Sequence, residues 1–252
     1  MTPSPRTILI LGGTPEAYAL AQRLVLEQRD QKRIITSRAG VTRARSTIAG
    51  EERLGGFGGL EGFRNYLLRE KIDFVVDGTH PFAERMTETA FSVCRDLGIG
   101  HCLLQRPEWE ATEDDNWISC KHLQDAAQKL AALEQPQTVL LTTGQKELPL
   151  FCQNPKHSVL ARMIEAPDFS EESKPGNLSV LLSRGPFDEH SELSLLQSAG
   201  ITLIVTKNAG GEGTTGKLKA ARTLGLPVLM IDRPALPPAS RVFRTAESVE
   251  IG

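Results

Sequence analysis

Thr206-Lys207-Asn208-Ala209-Gly210-Gly211-Glu212-Gly213-Thr214-Thr215-Gly216-Lys217 follows the apolar run 201–205 and opens a helical pattern. A loop this rich in glycine lets backbone N–H groups approach a ligand closely. The helix behind it adds the positive end of its dipole, so the stretch reads as an anion site at a strand-to-helix turn. Leu11-Gly12-Gly13-Thr14-Pro15-Glu16-Ala17 repeats the design near the start of the chain. Two such turns predict two halves of similar build, holding two anionic ligands or two parts of a large one.

A second pair of segments points the same way. Arg95-Asp96-Leu97-Gly98-Ile99-Gly100-His101-Cys102-Leu103-Leu104-Gln105-Arg106-Pro107 lies without gaps on Arg222-Thr223-Leu224-Gly225-Leu226-Pro227-Val228-Leu229-Met230-Ile231-Asp232-Arg233-Pro234. Arg, Leu, Gly, Arg and Pro recur in place. Leu-Gly before a strand is common in α/β proteins, but the full match favours internal duplication.

Short β-rich runs alternate with helical patterns, as in a parallel sheet covered by helices. Strands are predicted at 7–11, 33–37, 74–77 and 101–105, then at 138–142, 158–163, 178–183, 201–206 and 227–232. Ala17, Leu20, Ala21, Leu24 and Val25 keep helical spacing after the first strand, with Pro15 suited to the first turn. Residues 50–62 read as glycine-rich and irregular, 107–116 as an acidic linker flanked by Trp109 and Trp117, and 234–239 as a second crossing. The fold class is α/β: two Rossmann-like domains with mostly parallel sheets, related by internal duplication, with the ligand in the cleft between them.

The 252 residues suffice for one large domain or two small ones, and 29 Lys and Arg nearly balance 31 Asp and Glu. A net charge of -2 argues against nucleic-acid binding by bulk electrostatics. No apolar run approaches a membrane span, and the first strand starts too early to leave room for a signal peptide, so a cytoplasmic protein is expected. Cys94, Cys102, Cys120 and Cys152 have no metal-ligand or CxxC spacing, and read as reduced, mostly buried thiols with no metal site.

Gly12, Gly13 and Thr14 suit a close approach to pyrophosphate, with Glu16 and Ala17 standing where a dinucleotide fingerprint would continue toward its last glycine. The second predicted strand ends in Thr36-Ser37-Arg38, followed by Arg43 and Arg45, where an NAD enzyme places Asp or Glu. A carboxylate there would repel a 2′-phosphate; Ser37, Arg38 and Arg43 would bind one. The expected cofactor is NADP(H). Asp77-Gly78-Thr79-His80-Pro81-Phe82-Ala83 closes the strand across the switch point from the first. Thr79, His80, Pro81 and Phe82 are therefore candidate contacts to the nicotinamide half, with His80 also a candidate proton donor.

In the second half Thr143, Gly144 and Lys146, then Ser183, Arg184 and Gly185, then Lys207, Asn208, Gly210, Gly211, Thr214 and Lys217 all follow strands. They form a donor-rich and cationic set without a catalytic triad or paired carboxylates, which fits a multiply anionic substrate. Lys217 is the second candidate acid, and Lys219 reads as a solvated helix face. Domains are expected at 1–112 (NADP(H)-binding) and 113–237 (substrate-binding). For the segment 238–252, a return to the first domain is one option.

Leu9-Ile10-Leu11-Gly12-Gly13-Thr14-Pro15-Glu16-Ala17, Asp77-Gly78-Thr79-His80-Pro81-Phe82-Ala83, Leu141-Thr142-Thr143-Gly144-Gln145-Lys146 and Thr206-Lys207-Asn208-Ala209-Gly210-Gly211, in this order, resemble the precorrin-6A reductases of cobalamin biosynthesis. The resemblance spans residue 7 to about residue 234. It implies NADPH-dependent reduction of one double bond of the corrin-forming macrocycle, giving precorrin-6B, with the substrate between two α/β domains. It also implies a tetrapyrrole-derived substrate bearing acetate and propionate carboxylates, and leaves room for transient contacts with neighbouring pathway enzymes. The family serves metal-free and cobalt-containing pathways alike. A short-chain dehydrogenase is disfavoured, because Tyr18 and Tyr66 are followed at the Tyr-x-x-x-Lys spacing by Gln22 and Glu70. A two-domain sensor that closes on a small ligand without chemistry is the alternative, although Ser37 and Arg38 have no purpose in it.

Overall fold

The computed structural model describes residues 6–27, 32–39, 49–167, 174–238 and 240–251. Arg43 and Arg45 lie outside the described residues. The chain divides into unit 1, Met1–Pro107 with Pro234–Gly252, and unit 2, Glu108–Arg233.

Unit 1 runs β1 (Arg6–Leu11), α1 (Pro15–Glu27), β2 (Lys32–Arg38), β3 (Glu51–Leu54), α2 (Gly59–Arg69), β4 (Phe74–Asp77), α3 (Glu84–Leu97) and β5 (Gly100–Leu104), and takes β12 (Val242–Phe243) from the end of the chain. The sheet order is β12-β5-β4-β1-β2-β3, with every pairing parallel. Unit 2 runs β6 (Trp117–Cys120), α4 (Leu123–Ala132), β7 (Thr138–Leu141), α5 (Leu148–Phe151), β8 (Ser158–Met163), β9 (Leu178–Leu182), α6 (Glu189–Ser198), β10 (Leu203–Lys207), α7 (Gly216–Leu224) and β11 (Val228–Ile231). Its order is β6-β11-β10-β7-β8-β9, again all parallel.

The two orders are the same order. With the outer strand set aside, β12 at the end of the chain in unit 1 and β6 at the start of unit 2, both read 3-2-1-4-5, the arrangement of dinucleotide-binding sheets, whose crevice opens where the order reverses. That point falls between β1 and β4 in unit 1 and between β7 and β10 in unit 2. The segments aligned by sequence occupy equivalent places: α3 ends on Gly98 (φ 68°) before β5, and α7 ends on Gly225 (φ 64°) before β11. In each the next residue's N–H returns to the last turn at 2.9 Å, Ile99 to Cys94 and Leu226 to Ala221.

Strand alternation explains the layers. Ile8 and Ile10 of β1 pack with Ala17, Leu20, Ala21 and Leu24 of α1, while Leu9 and Leu11 face Phe63, Leu67, Val93 and Cys94 of α2 and α3. A parallel strand covered on both faces is apolar at every position, which made β1 legible as sequence. Each such Leu or Ile contributes roughly 1.5–3 kcal/mol by leaving water. In unit 2 Leu140, Ile204, Val228 and Met230 pack with Leu196, Leu218 and Ala221.

Three strands differ from the sequence expectation. The stretch read as irregular contains β3, the linker is followed at once by β6, and the C-terminal segment supplies β12. All three are short edge strands, and β3 is Glu-Glu-Arg-Leu with three exposed positions. Charged edges resist further pairing but erase the apolar signal by which a strand is read. The four cysteines are free and buried, with burial pushing Cys94 and Cys102 up to about 12. No helix among the described residues is long and apolar enough to cross a membrane.

Candidate active site

In unit 1 the loops after β1 and β4 are joined by hydrogen bonds. Gly12 N–H donates to the Ser37 carbonyl at 2.8 Å, and Gly78 N–H to the Leu11 carbonyl at 2.9 Å. The buried Thr14 hydroxyl donates to the Gly78 carbonyl at 2.7 Å and accepts from Ala17 N–H at 3.3 Å. One side chain thus caps α1 and clamps the β4 loop against it. Ala17 itself fills the close contact where a third glycine would stand: a Cβ on Gly78 would lie 2.8 Å from Ala17 Cβ. Glu16, whose charge stands next to an anion loop, is paired with Arg106 at 2.9 Å.

The β4 loop is shaped by Asp77. Its buried carboxylate accepts from Thr79 N–H at 3.0 Å, the Thr79 hydroxyl at 2.7 Å and the Thr87 hydroxyl at 2.6 Å. Thr79 is thereby engaged with its own loop, and Pro81 is buried. Exposed His80 accepts at Nδ1 from Phe82 N–H at 3.2 Å, its ring 5.8 Å from that of Phe82. Acceptance at Nδ1 puts the neutral ring's proton on Nε2. At the end of β2, Ser37 is buried and accepts from Arg53 at 3.1 Å, while Arg38 forms an ion pair with Glu52. Sequence reasoning missed Arg53, Glu52 and Arg106, each brought in by the fold.

Unit 2 repeats the arrangement between β7 and β10. Thr142 N–H donates to the Val205 carbonyl at 3.0 Å and its hydroxyl to Thr206 Oγ1 at 2.8 Å. Thr143 is buried and its Oγ1 has no hydrogen-bond partner among the described residues. Gly144 follows, and Lys146 is exposed. Ser183 N–H is tied to the Met163 carbonyl at 2.8 Å, with Arg184 and Gly185 exposed beyond it.

The glycine loop is organised by Trp109. Asn208, buried, accepts from Trp109 N–H at 2.9 Å and donates to the Trp109 carbonyl at 3.0 Å, while Trp109 Nε1–H donates to the Gly211 carbonyl at 2.8 Å. Gly210 and Gly211 take φ of 68° and 81° there, a left-handed pair that side-chain-bearing residues resist. Lys207 and Lys217, expected as cations offered to a ligand, are both turned inward. Lys207 lies 2.7 Å from Glu147 and donates to the Thr143 carbonyl at 2.9 Å. Lys217 is buried, donates to the Thr214 carbonyl at 2.8 Å and lies 4.7 Å over the Trp109 ring. Burial pushes its pKa down to about 7, the nearby Arg162 adds to the fall and Glu192 opposes it. Lys219 is exposed.

That burial has a measurable consequence. Above pH 7 the unfolded chain keeps a proton that the folded Lys217 has released, so stability rises with pH through this group up to its unfolded value of 10.5. One proton contributes a slope of at most about 1.4 kcal/mol per pH unit. The buried cysteines act oppositely but only above their ordinary value of 9.0. Urea unfolding between pH 7 and 8.5 is therefore expected to show the rise in the parent chain and its absence in Lys217→Met; equal slopes would contradict the burial.

The fold and the two switch-point loops define a duplicated, doubly wound α/β protein of the dinucleotide-binding type. The chain belongs to the precorrin-6x reductase family CbiJ/CobK, whose profile matches residues 7–251. It is 41% identical over 245 residues to a precorrin-6A reductase of Rhodobacter capsulatus, covering 96% of this chain and 93% of that one. Over 233 residues it is 40% identical to a precorrin-6A reductase of Rhodococcus erythropolis, covering 92% and 91%. The solved structure of a CobK precorrin-6A reductase superposes with a TM-score of 0.85 at 40% identity, covering 96% of this chain and 93% of that one.

Proposed function

We propose that this chain reduces one double bond of the precorrin-6A macrocycle to give precorrin-6B in cobalamin biosynthesis, with NADPH as the reductant. Membership of the reductase family carries the reaction class. The observation that carries the cofactor is the end of β2, where Ser37 stands in place of the acidic residue that would hold an NAD ribose and accepts a hydrogen bond from Arg53 of the neighbouring β3. A non-catalytic sensor has no support beside that membership.

The residues fit the cofactor. Gly13 holds φ 130° with open space where a Cβ would point, so the backbone of the β1 loop is accessible at the start of α1. Gly12, Gly13, Thr14 and the first turn of α1, with Glu16 neutralised by Arg106 and Ala17 packed beneath, would hold the pyrophosphate. Ser37 and the guanidinium that donates to it would hold the 2′-phosphate. Thr79, His80, Pro81 and Phe82 would border the nicotinamide. When bound, NADPH supplies the hydride, and a proton completes the reduction at the neighbouring carbon. His80, its ring exposed, is the proposed source of that proton: as the imidazolium it gives up one proton and returns to the neutral ring whose Nδ1 accepts from Phe82 N–H. Lys217 is too enclosed to touch substrate and acts as a positioning residue that holds the glycine loop.

The macrocycle carboxylates are proposed to meet the loops of unit 2. Lys146 and Arg184 are exposed and have no ion-pair partner among the described residues, so they are the cations available to them. Thr143, Gly144, Ser183, Gly185, Gly210, Gly211 and Thr214 supply the surrounding donors and backbone, and Lys207 and Asn208 set their shape. Lys146→Ala and Arg184→Ala are each expected to raise the macrocycle dissociation constant by up to about fivefold, as for exposed charge pairs, with NADPH affinity unchanged. The difference should shrink with added salt. Loss of NADPH affinity with macrocycle affinity kept would reverse the roles of the two units.

A further inference from the structure

We infer that Arg53, rather than Arg38, reads the 2′-phosphate of the cofactor, an inference that rests on the NADPH reading above. Both arginines stand at the carboxyl ends of neighbouring parallel strands. Arg53 is directly opposite Ser37 in the β2–β3 register, and Arg38 is opposite Leu54.

Their electrostatic situations differ. Arg38 directs Nε and Nη2 at a single oxygen of Glu52, and its side chain is only 12% exposed. Its charge is cancelled at the face it presents, and a phosphate placed against it would meet the Glu52 carboxylate as well. Arg53 forms no ion pair with a carboxylate among the described residues. Its Nη1 donates to the Ser37 hydroxyl at 3.1 Å and to the Gly55 carbonyl, and its Nη2 to the Gly56 carbonyl at 2.9 Å. These partners are neutral, so they fix the guanidinium without spending its charge. Nε–H and the second Nη2–H have no partner among the described residues, and they are two donors on one edge of the fork. Such an edge matches two oxygens of a phosphate.

The group is also packed against aromatic rings. The Arg53 guanidinium lies 3.9 Å from the Phe57 ring centroid and 4.9 Å from that of Tyr66. Phe57 in turn meets Phe63 edge-on at 4.8 Å and Tyr66 at 5.1 Å, and Phe63 is fully buried between α2 and the sheet. The platform is therefore anchored in the core of unit 1. A guanidinium held over aromatic rings loses less freedom when an anion arrives. Ser37, buried beside it, adds a hydroxyl at the same place.

The test is calorimetric titration of the whole chain with NADP⁺ and with NAD⁺, which differ only in the 2′-phosphate. The parent chain should prefer NADP⁺. Arg53→Gln is expected to weaken NADP⁺ by about tenfold or more while changing NAD⁺ by less than about threefold, the second figure also showing that the site remains folded. Arg53→Lys, which keeps the charge without the fork, should fall between. Arg38→Gln should leave the preference within about threefold of the parent. Arg53→Gln with the parental preference intact would overturn the role of Arg53 while leaving the cofactor reading standing. Equal losses for both nucleotides, or a preference lost in Arg38→Gln instead, would overturn it too. A parent chain without any preference for NADP⁺ would overturn the cofactor reading itself.

Discussion

Glu192→Gln is expected to destabilise unit 2 by about 3–5 kcal/mol, the usual cost of stranding one member of a buried ion pair. Glu192 on α6 meets Arg162 on β8 at 2.8 Å, with side-chain exposures of only 3% and 6%. Arg162 has little else to satisfy it among the described residues: its Nε is buried without a hydrogen-bond partner there, and its guanidinium lies 4.3 Å over the Phe187 ring. Lys217 is the next charge, and Glu192 is what favours its protonated form. Removing the carboxylate leaves Arg162 uncompensated and drives Lys217 further toward neutrality. Replacing both partners together, as Arg162→Met with Glu192→Leu, should restore most of the loss, since no charge is then left buried alone. Urea unfolding followed by fluorescence of Trp109 and Trp117, both in unit 2, would report it. A loss below about 1 kcal/mol in the single variant would mean that the pair is solvated in the working protein.

Gly78→Val is expected to lower turnover by ~100-fold or more, through position rather than chemistry. The added Cβ would stand 2.8 Å from Ala17 Cβ and 3.3 Å from the Leu11 carbonyl, neither of which is the end of a flexible side chain. Relief requires α1 to move away from the β4 loop. That movement breaks the 2.7 Å clamp from Thr14 to the Gly78 carbonyl and displaces both proposed cofactor loops at once. A shift of about 1 Å at a positioning contact suffices for such a loss of rate. The milder Gly78→Ala carries the same first contact, and Ala17→Gly removes its opponent. The double variant Gly78→Ala with Ala17→Gly should therefore recover most of what Gly78→Ala loses, in a cycle of activity and NADPH affinity. No recovery would mean that Gly78 serves some other purpose than close packing.

How far the sequence could be read depended on where each signal is carried. Inner strands such as β1 and β4 are apolar at successive positions because both faces are covered, and the alternation of strand and helix followed from them. The end of a strand, a glycine loop and the next helix are local in sequence, so the adjacency of the Gly12 and Gly78 loops could be inferred from the switch-point rule. The matched Gly98 and Gly225 segments have a physical counterpart in two left-handed helix ends leading into equivalent strands. Long-range pairing was not legible. The inward turn of Lys207 and Lys217 depends on Glu147 and on Trp109, the latter about a hundred residues away in the chain. Likewise nothing local to Glu16 announces Arg106. Arg53 was missed because β3, being charged and exposed, does not look like a strand until β2 is placed beside it.

The central claim is that this chain transfers hydride from NADPH to the precorrin-6A macrocycle. Its most direct test is the absorbance of the reduced nicotinamide when purified chain, NADPH and precorrin-6A are mixed. The band should disappear in proportion to the macrocycle consumed, only with all three present, and far more slowly when NADH replaces NADPH. A band that persists with all three present, or that decays equally without the macrocycle, would contradict the account.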